Sequence, residues 1–200
     1  MEIIFTKKMD DFFFSDYSFG GSADFGENKW SERDWLAYIK RSQAEIQKIS
    51  KLYFEHRRNM SFEDIMTASG WSIANGDDSD DSQNSEPMTL INHPVYIASR
   101  ALIKCLQSVV EELVKSSNCE PLFVLQLSNT IHEASELICV AVNSTDLGED
   151  LLARSYYKSA LMALNSVLAK IENFSDALEK KEIASIIIFD LRQLCLNLSN

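Results

Sequence analysis

Three features of the sequence predict an all-α fold, an antiparallel up-and-down bundle of four to five long helices. Only 6 Gly and 3 Pro interrupt 200 residues, too few for the many turns of a β-sandwich or barrel. From Ser31 onward, apolar side chains recur every three or four positions, the spacing that lines one face of a helix. After Pro94 the breaks between these periodic stretches are short, which makes consecutive helices antiparallel neighbours. With 46% hydrophobic residues, a single domain of this length can bury roughly 70–75% of its unfolded surface.

The chain opens on an irregular aromatic arm, residues 1–30, which holds Phe12, Phe13, Phe14, Tyr17, Phe19 and Phe25 and shows neither helical nor strand periodicity. Each ring left in water forfeits burial worth about 1.5–3 kcal/mol, so the arm is expected to dock on the bundle or on a partner. Residues 31–200 form the helical-bundle domain. Ser31 and Asp34 have the spacing of a capping box, and the stripe Trp35, Ile39, Ser42, Ile46, Ile49 and Tyr53 predicts a first helix over about 32–58. Ser61 with Asp64 starts a short second helix through about Ala68, which Gly70 ends.

Residues 75–92 carry five acids and almost no apolar side chain before Met88, and read as a flexible acidic connector. Ser79, Ser82 and Ser85 are candidate phosphorylation positions within it. A calcium loop starting at Asp78 fails, because Gln83 and Thr89 stand where glycine and the closing Glu are needed. Pro94 then begins a third helix whose face is Val95, Ala98, Leu102, Leu106, Val109 and Leu113, with Asn92 or His93 near its cap. Pro121 opens a fourth, along Leu127, Ile131, Ala134 and Ile138, ending in the turn-forming run 143–146. A fifth covers about 149–173 along Ala153, Tyr157, Ala160, Leu164, Val167 and Ile171.

A sixth helix, about 176–196 with Ser175 as its cap, departs from the simple pattern. Ile183, Ile187, Leu191, Leu194 and Leu198 supply one stripe, while Phe189 and Leu196 project roughly opposite it and Ile186 to one side. Such a helix is either central and buried all round, or has its second face covered by another chain.

The charge balance bears on partners. Nineteen basic against 30 acidic residues leave a net charge of -11 and a pI near 4.7, which repels nucleic acid and anionic membranes at long range. The opening residues lack the pattern of a signal peptide, and no run of apolar residues is long enough to span a bilayer. Cys105, Cys119, Cys139 and Cys195 show no metal-ligand spacing and are expected to be reduced thiols in a cytoplasmic protein.

No nucleotide-binding loop, nucleophile elbow or metalloprotease motif is present, and no cofactor, metal ligand set or catalytic residue is assigned. Of the three histidines, His132 sits mid-helix and points away from the apolar stripe. An exposed imidazole followed by an acid resembles, over two residues, the phosphoacceptor site of two-component signalling helices. Glu136 stands where those helices carry Thr or Asn, and no Pro follows. The first helix and its end carry seven basic against four acidic residues; Lys40, Arg41, Lys48, Lys51, Arg57 and Arg58 form a candidate basic face that the connector around Asp77–Asp81 can approach.

The function expected from these features is a non-catalytic protein–protein interaction module: an adaptor, scaffold or regulatory subunit that binds a protein partner or a second copy of itself. Its candidate interface is Phe12, Phe13, Phe14, Tyr17, Phe19 and Phe25 of the arm with Phe189 and Leu196 of the last helix. A phosphotransfer-like signalling bundle using His132 is one alternative, and an acidic inhibitor that mimics nucleic acid is another.

Overall fold

A computed structural model describes residues 30–73, 89–117, 119–174 and 178–199. Among them are six α-helices: α1 (Glu32–His56), α2 (Phe62–Ala68), α3 (Pro94–Ser116), α4 (Pro121–Asp146), α5 (Asp150–Glu172) and α6 (Leu178–Ser199). A 3-10 turn, Leu90–Asn92, precedes α3, and there is no strand among the described residues. The chain is therefore an all-α helical bundle, as its periodicity predicts.

The helix starts follow from local chemistry. At α1 the Asp34 carboxylate accepts from the Ser31 N–H at 2.9 Å and the Ser31 hydroxyl accepts from the Asp34 N–H at 3.3 Å, so each satisfies an N–H the helix leaves open. The Ser31 hydroxyl, then its N–H, hold the Asp34 carboxyl below the usual carboxylate range. Ser61 and Asp64 repeat this box at α2. At α3, Pro94 occupies the first turn and His93 is the cap, its Nδ1 accepting from the Val95 N–H at 3.2 Å.

One boundary differs from expectation. The run 143–146 is not a turn: α4 continues through Asp146 and stops at Gly148, whose φ of +75° only glycine adopts cheaply. There the Glu149 N–H reaches back to the Ser144 carbonyl at 2.8 Å and the Gly148 N–H to Thr145 at 2.9 Å. All four polar residues of the run stay helical: Ser144 is buried, and the glycine two positions beyond Asp146 supplies the stop.

Contacts between helix ends give the helix directions. His93 at the start of α3 meets Asp146 at the end of α4 at 3.5 Å. Phe123 near the start of α4 packs edge-on against Phe174 after α5, ring centres 5.6 Å apart. Lys180 early in α6 donates to the Glu112 carbonyl late in α3 at 3.2 Å. The helices α3 to α6 thus run alternately up and down, each packed on the next, with α6 closing back on α3.

The first helix breaks the alternation. Tyr38 shares a hydrogen bond with Thr89 at 2.9 Å, Ser42 donates to the Ile91 carbonyl at 2.9 Å and Ser50 to the Ala101 carbonyl at 3.2 Å, so α1 lies parallel to α3. The chain between them, α2 and residues 69–93, is long enough to return to the starting end before α3 begins. Sequence spacing predicts antiparallel neighbours only where the link is short.

The enclosed helix is α3, which packs against α1, α4 and α6. Its buried surface covers far more than one stripe, adding Ile97, Ala101, Ile103, Cys105 and Val110 to the predicted face. Of the two alternatives for the sixth helix, burial all round is corrected: Ile187, Leu191 and Leu194 are buried, but Phe189, Ile186 and Leu196 are exposed. It packs on α5 and α3 and meets α1 at the latter's end, and among the described residues no helix packs on its remaining side. Trp35, placed by spacing in the buried stripe of α1, is also exposed; burial on α1 begins at Tyr38, where the turn before α3 first meets it.

Candidate functional site

Helix α6 presents two faces of opposite character. On the inner one, Ala184, Ile187, Ile188, Leu191, Leu194 and Cys195 are buried, and Asp190 is buried among them. A carboxylate there needs partners of its own. Arg57, just past the end of α1, supplies two parallel hydrogen bonds, Nε to Oδ2 at 2.6 Å and Nη2 to Oδ1 at 2.8 Å. Tyr53, one turn earlier, donates its hydroxyl to Oδ2 at 2.7 Å. The guanidinium also reaches the Met60 carbonyl at 3.4 Å, which ties the turn after α1 into the same cluster.

The cluster is electrostatically closed. Burial, then the hydrogen bond to Asp190, pushes the Tyr53 hydroxyl well above its ordinary range. The bonds to Asp190 likewise hold the Arg57 proton more tightly than usual. With its acceptors engaged and only 6% of its side chain exposed, Asp190 is a fastener between α1 and α6 and is poorly placed to take a proton from a substrate. Sequence reasoning missed this cluster, although the signal was present: Asp190 continues the spacing Ile183, Ile187, Leu194 on the inner stripe, and Arg57 lies four residues beyond Tyr53.

The outer face of α6 is the reverse. Leu178 is 82% exposed, Ile186 37%, Phe189 53% and Leu196 39%. With Glu182 and Gln193, both exposed, they fall at spacings of three or four and occupy one side of the helix. The structure places Phe189 and Leu196 on one exposed surface of α6, together with Ile186 and Leu178. The other candidate interface residues, Phe12, Phe13, Phe14, Tyr17, Phe19 and Phe25, lie outside the described residues, as do Asp77–Asp81 and Ser79, Ser82 and Ser85.

The candidate basic face is largely occupied by its own neighbours. Lys48 reaches the Ser69 carbonyl at 3.0 Å and Glu45 at 3.5 Å, Lys51 lies 3.9 Å from Glu55, and Arg58 lies 3.6 Å from Glu179. Arg57 leaves the group altogether, because its guanidinium turns inward to Asp190. Lys40 and Arg41 are exposed on the first half of α1.

His132 is partly exposed on α4, and its Nε2 lies 3.0 Å from the Glu136 carboxylate one turn on. A negative group beside the imidazole opposes the approach of a phosphoryl donor. The α4–α5 groove, about 530 Å³, is lined by Thr130, Glu133, Ser159, Met162, Ser166 and Lys170. The Lys170 ammonium is already engaged there by the hydroxyls of Thr130 at 2.7 Å and Ser166 at 3.2 Å. All four cysteines are free thiols. Burial pushes Cys105 and Cys195 up to about 12, which keeps them protonated and weakly nucleophilic near neutrality.

Among the described residues, no cluster of three or more His, Cys, Asp or Glu has metal-holding geometry, and no helix is long and apolar enough to cross a membrane. Comparison with protein-family models, with curated proteins and with solved structures found no match to this chain.

Proposed function

We propose that this protein is a non-catalytic interaction module, an adaptor, scaffold or regulatory subunit, and that it engages protein through the outer face of α6. The observation that carries this reading is the apolar stripe centred on Ile186 and Phe189, left in water on a helix whose opposite face is fully packed. Aromatic and aliphatic side chains grouped on one exposed helical surface are the usual anchors of protein contacts. The net charge of -11 favours a protein surface over nucleic acid, and four free thiols suit a reducing compartment such as the cytoplasm.

The test is site-directed photo-crosslinking in cells that make the protein. A photoreactive phenylalanine analogue replaces Phe189 in one experiment and exposed Lys158 of α5 in a control. The reading expects a discrete protein adduct from position 189 that the control position does not form. Identical adduct patterns from both positions, or none from 189, would overturn it.

A further inference from the structure

The α6 stripe has a symmetry that suits a second copy of itself. Read from either end, the exposed positions of this face, Leu178, Glu182, Ile186, Phe189, Gln193 and Leu196, run apolar, polar, apolar, apolar, polar, apolar; Ser185 between them is half-buried and bonded to the Lys181 carbonyl. An isologous contact requires this property, since one patch must complement itself after a two-fold rotation. We propose that the outer face of α6 pairs antiparallel with the same face of a second copy of this chain, about an axis passing between Ile186 and Phe189. This deepens the interaction reading above and rests on it.

In that pairing Phe189 of each copy lies over Ile186 of the other, and Leu196 lies beside Leu178. Each Glu182 carboxylate then faces a Gln193 amide, which can donate to it, so both polar positions of the stripe find complementary partners. The intervals of four, three and four from Glu182 to Gln193 are those with which helices interdigitate. Charge does not oppose the approach: α6 holds three acids, Glu179, Glu182 and Asp190, and three bases, Lys180, Lys181 and Arg192, in a chain whose net charge is -11. Four apolar side chains on one helix offer less than the ~800 Å² per partner of a standard stable interface, which puts the pairing in the weak, transient class.

Sedimentation of the full chain over roughly 1–500 µM tests this directly. The expected result is a monomer–dimer equilibrium that Phe189→Asp weakens by about tenfold or more. Gln193→Glu sets acid against acid at both symmetric contacts and should weaken the dimer by about tenfold, while adding Glu182→Lys should restore it, because each new lysine then meets a new glutamate. All three positions are exposed, and unchanged helical circular dichroism confirms that the variants fold.

A monomer at every concentration, a dimer insensitive to Phe189→Asp, or failure of the charge-swapped pair to recover would each overturn the self-pairing. The crosslinking experiment separates the two ideas. An adduct of position 189 with a different protein, from a chain that sediments as a monomer, removes self-pairing and keeps the interaction reading; no adduct removes both.

Discussion

Phe189 and Asp190 are chain neighbours with their polarities exchanged: the phenyl ring is 53% exposed, the carboxylate 6%. Residue type alone would place them the other way round. What separates them is the 100° turn between successive residues, which hands Asp190 to Arg57 and Tyr53 and turns Phe189 outward. On the inner face the buried charge of Asp190 is met by named groups, Arg57 and Tyr53. The outer face leaves its apolar surface unspent within the described bundle, so the free energy of covering it remains for association.

Removing the fastener should produce the largest effect. Asp190→Ala strands the Arg57 guanidinium and the Tyr53 hydroxyl, and the expected loss is about 3 kcal/mol, the low end for a broken buried pair because Arg57 keeps 28% of its side chain exposed and can turn to water. Chemical denaturation measures it. The combined replacement Tyr53→Phe, Arg57→Met and Asp190→Leu removes the charges together and should recover most of that loss. If the combined variant stays as unstable as the single one, the cluster contributes more than mutual compensation. Tyr53→Phe alone keeps the ion pair and deletes one hydrogen bond, for an expected cost of about 1 kcal/mol. A loss as large as that of Asp190→Ala would mean that the hydroxyl, and not the guanidinium, holds the carboxylate.

The contrast between the two faces also marks how much could be read without coordinates. Both capping boxes, Pro94, Pro121 and the helical stripes were legible, since each is a local rule acting within a few residues. That α6 is apolar on two faces was legible as well, from the angles of Ile186, Phe189 and Leu196 against Ile187 and Leu191. Whether the second face packs within the bundle was not, because that depends on α3 and not α6 being the enclosed helix. The direction of α1 was not, because it depends on where a long and acidic connection leads. Nor was the role of Arg57, which as one of three cations at a helix end has the local appearance of a group stabilising the final carbonyls. Only the position of α6, 133 residues away in sequence, turns it into the partner of Asp190. Spacing reports which side of a helix is apolar, and remote pairing is decided by packing.

At the other end of the bundle, His93 and Asp146 provide a looser counterpart to the fastener, and here pH is the lever. The His93 ring fits in its neutral form, with Nδ1 accepting from the Val95 N–H, and Nε2 lies 3.5 Å from Asp146. Burial lowers its pKa below 6.5, against a smaller opposing pull from the Asp146 carboxylate. The folded chain therefore binds this proton less readily than the unfolded one. The resulting stability is complete above pH 6.5 and drains as the pH falls from 6.5 towards the depressed value. His93→Asn retains a capping side chain and should flatten that part of the pH–stability curve, as followed by thermal melts at several pH values. Identical slopes in the two proteins would remove His93 from the account.

The smallest expected effect is the most informative about the outer face. Phe189→Gln gives up the buried half of one ring, worth about 1 kcal/mol, and gains part of it back because Gln is the better helix former. At about 1 µM protein, below the range in which copies would pair, the variant should unfold within about 0.5 kcal/mol of the natural chain. At high concentration the two should diverge, since whatever binds only the folded state stabilises it by mass action, and a melting temperature that rises with concentration in the natural chain should be constant in the variant. A loss near 3 kcal/mol at low concentration would place Phe189 in the core beside Asp190 and erase the distinction between the faces. A small loss that does not depend on concentration would leave the ring exposed and transfer its apolar surface to a partner other than this chain.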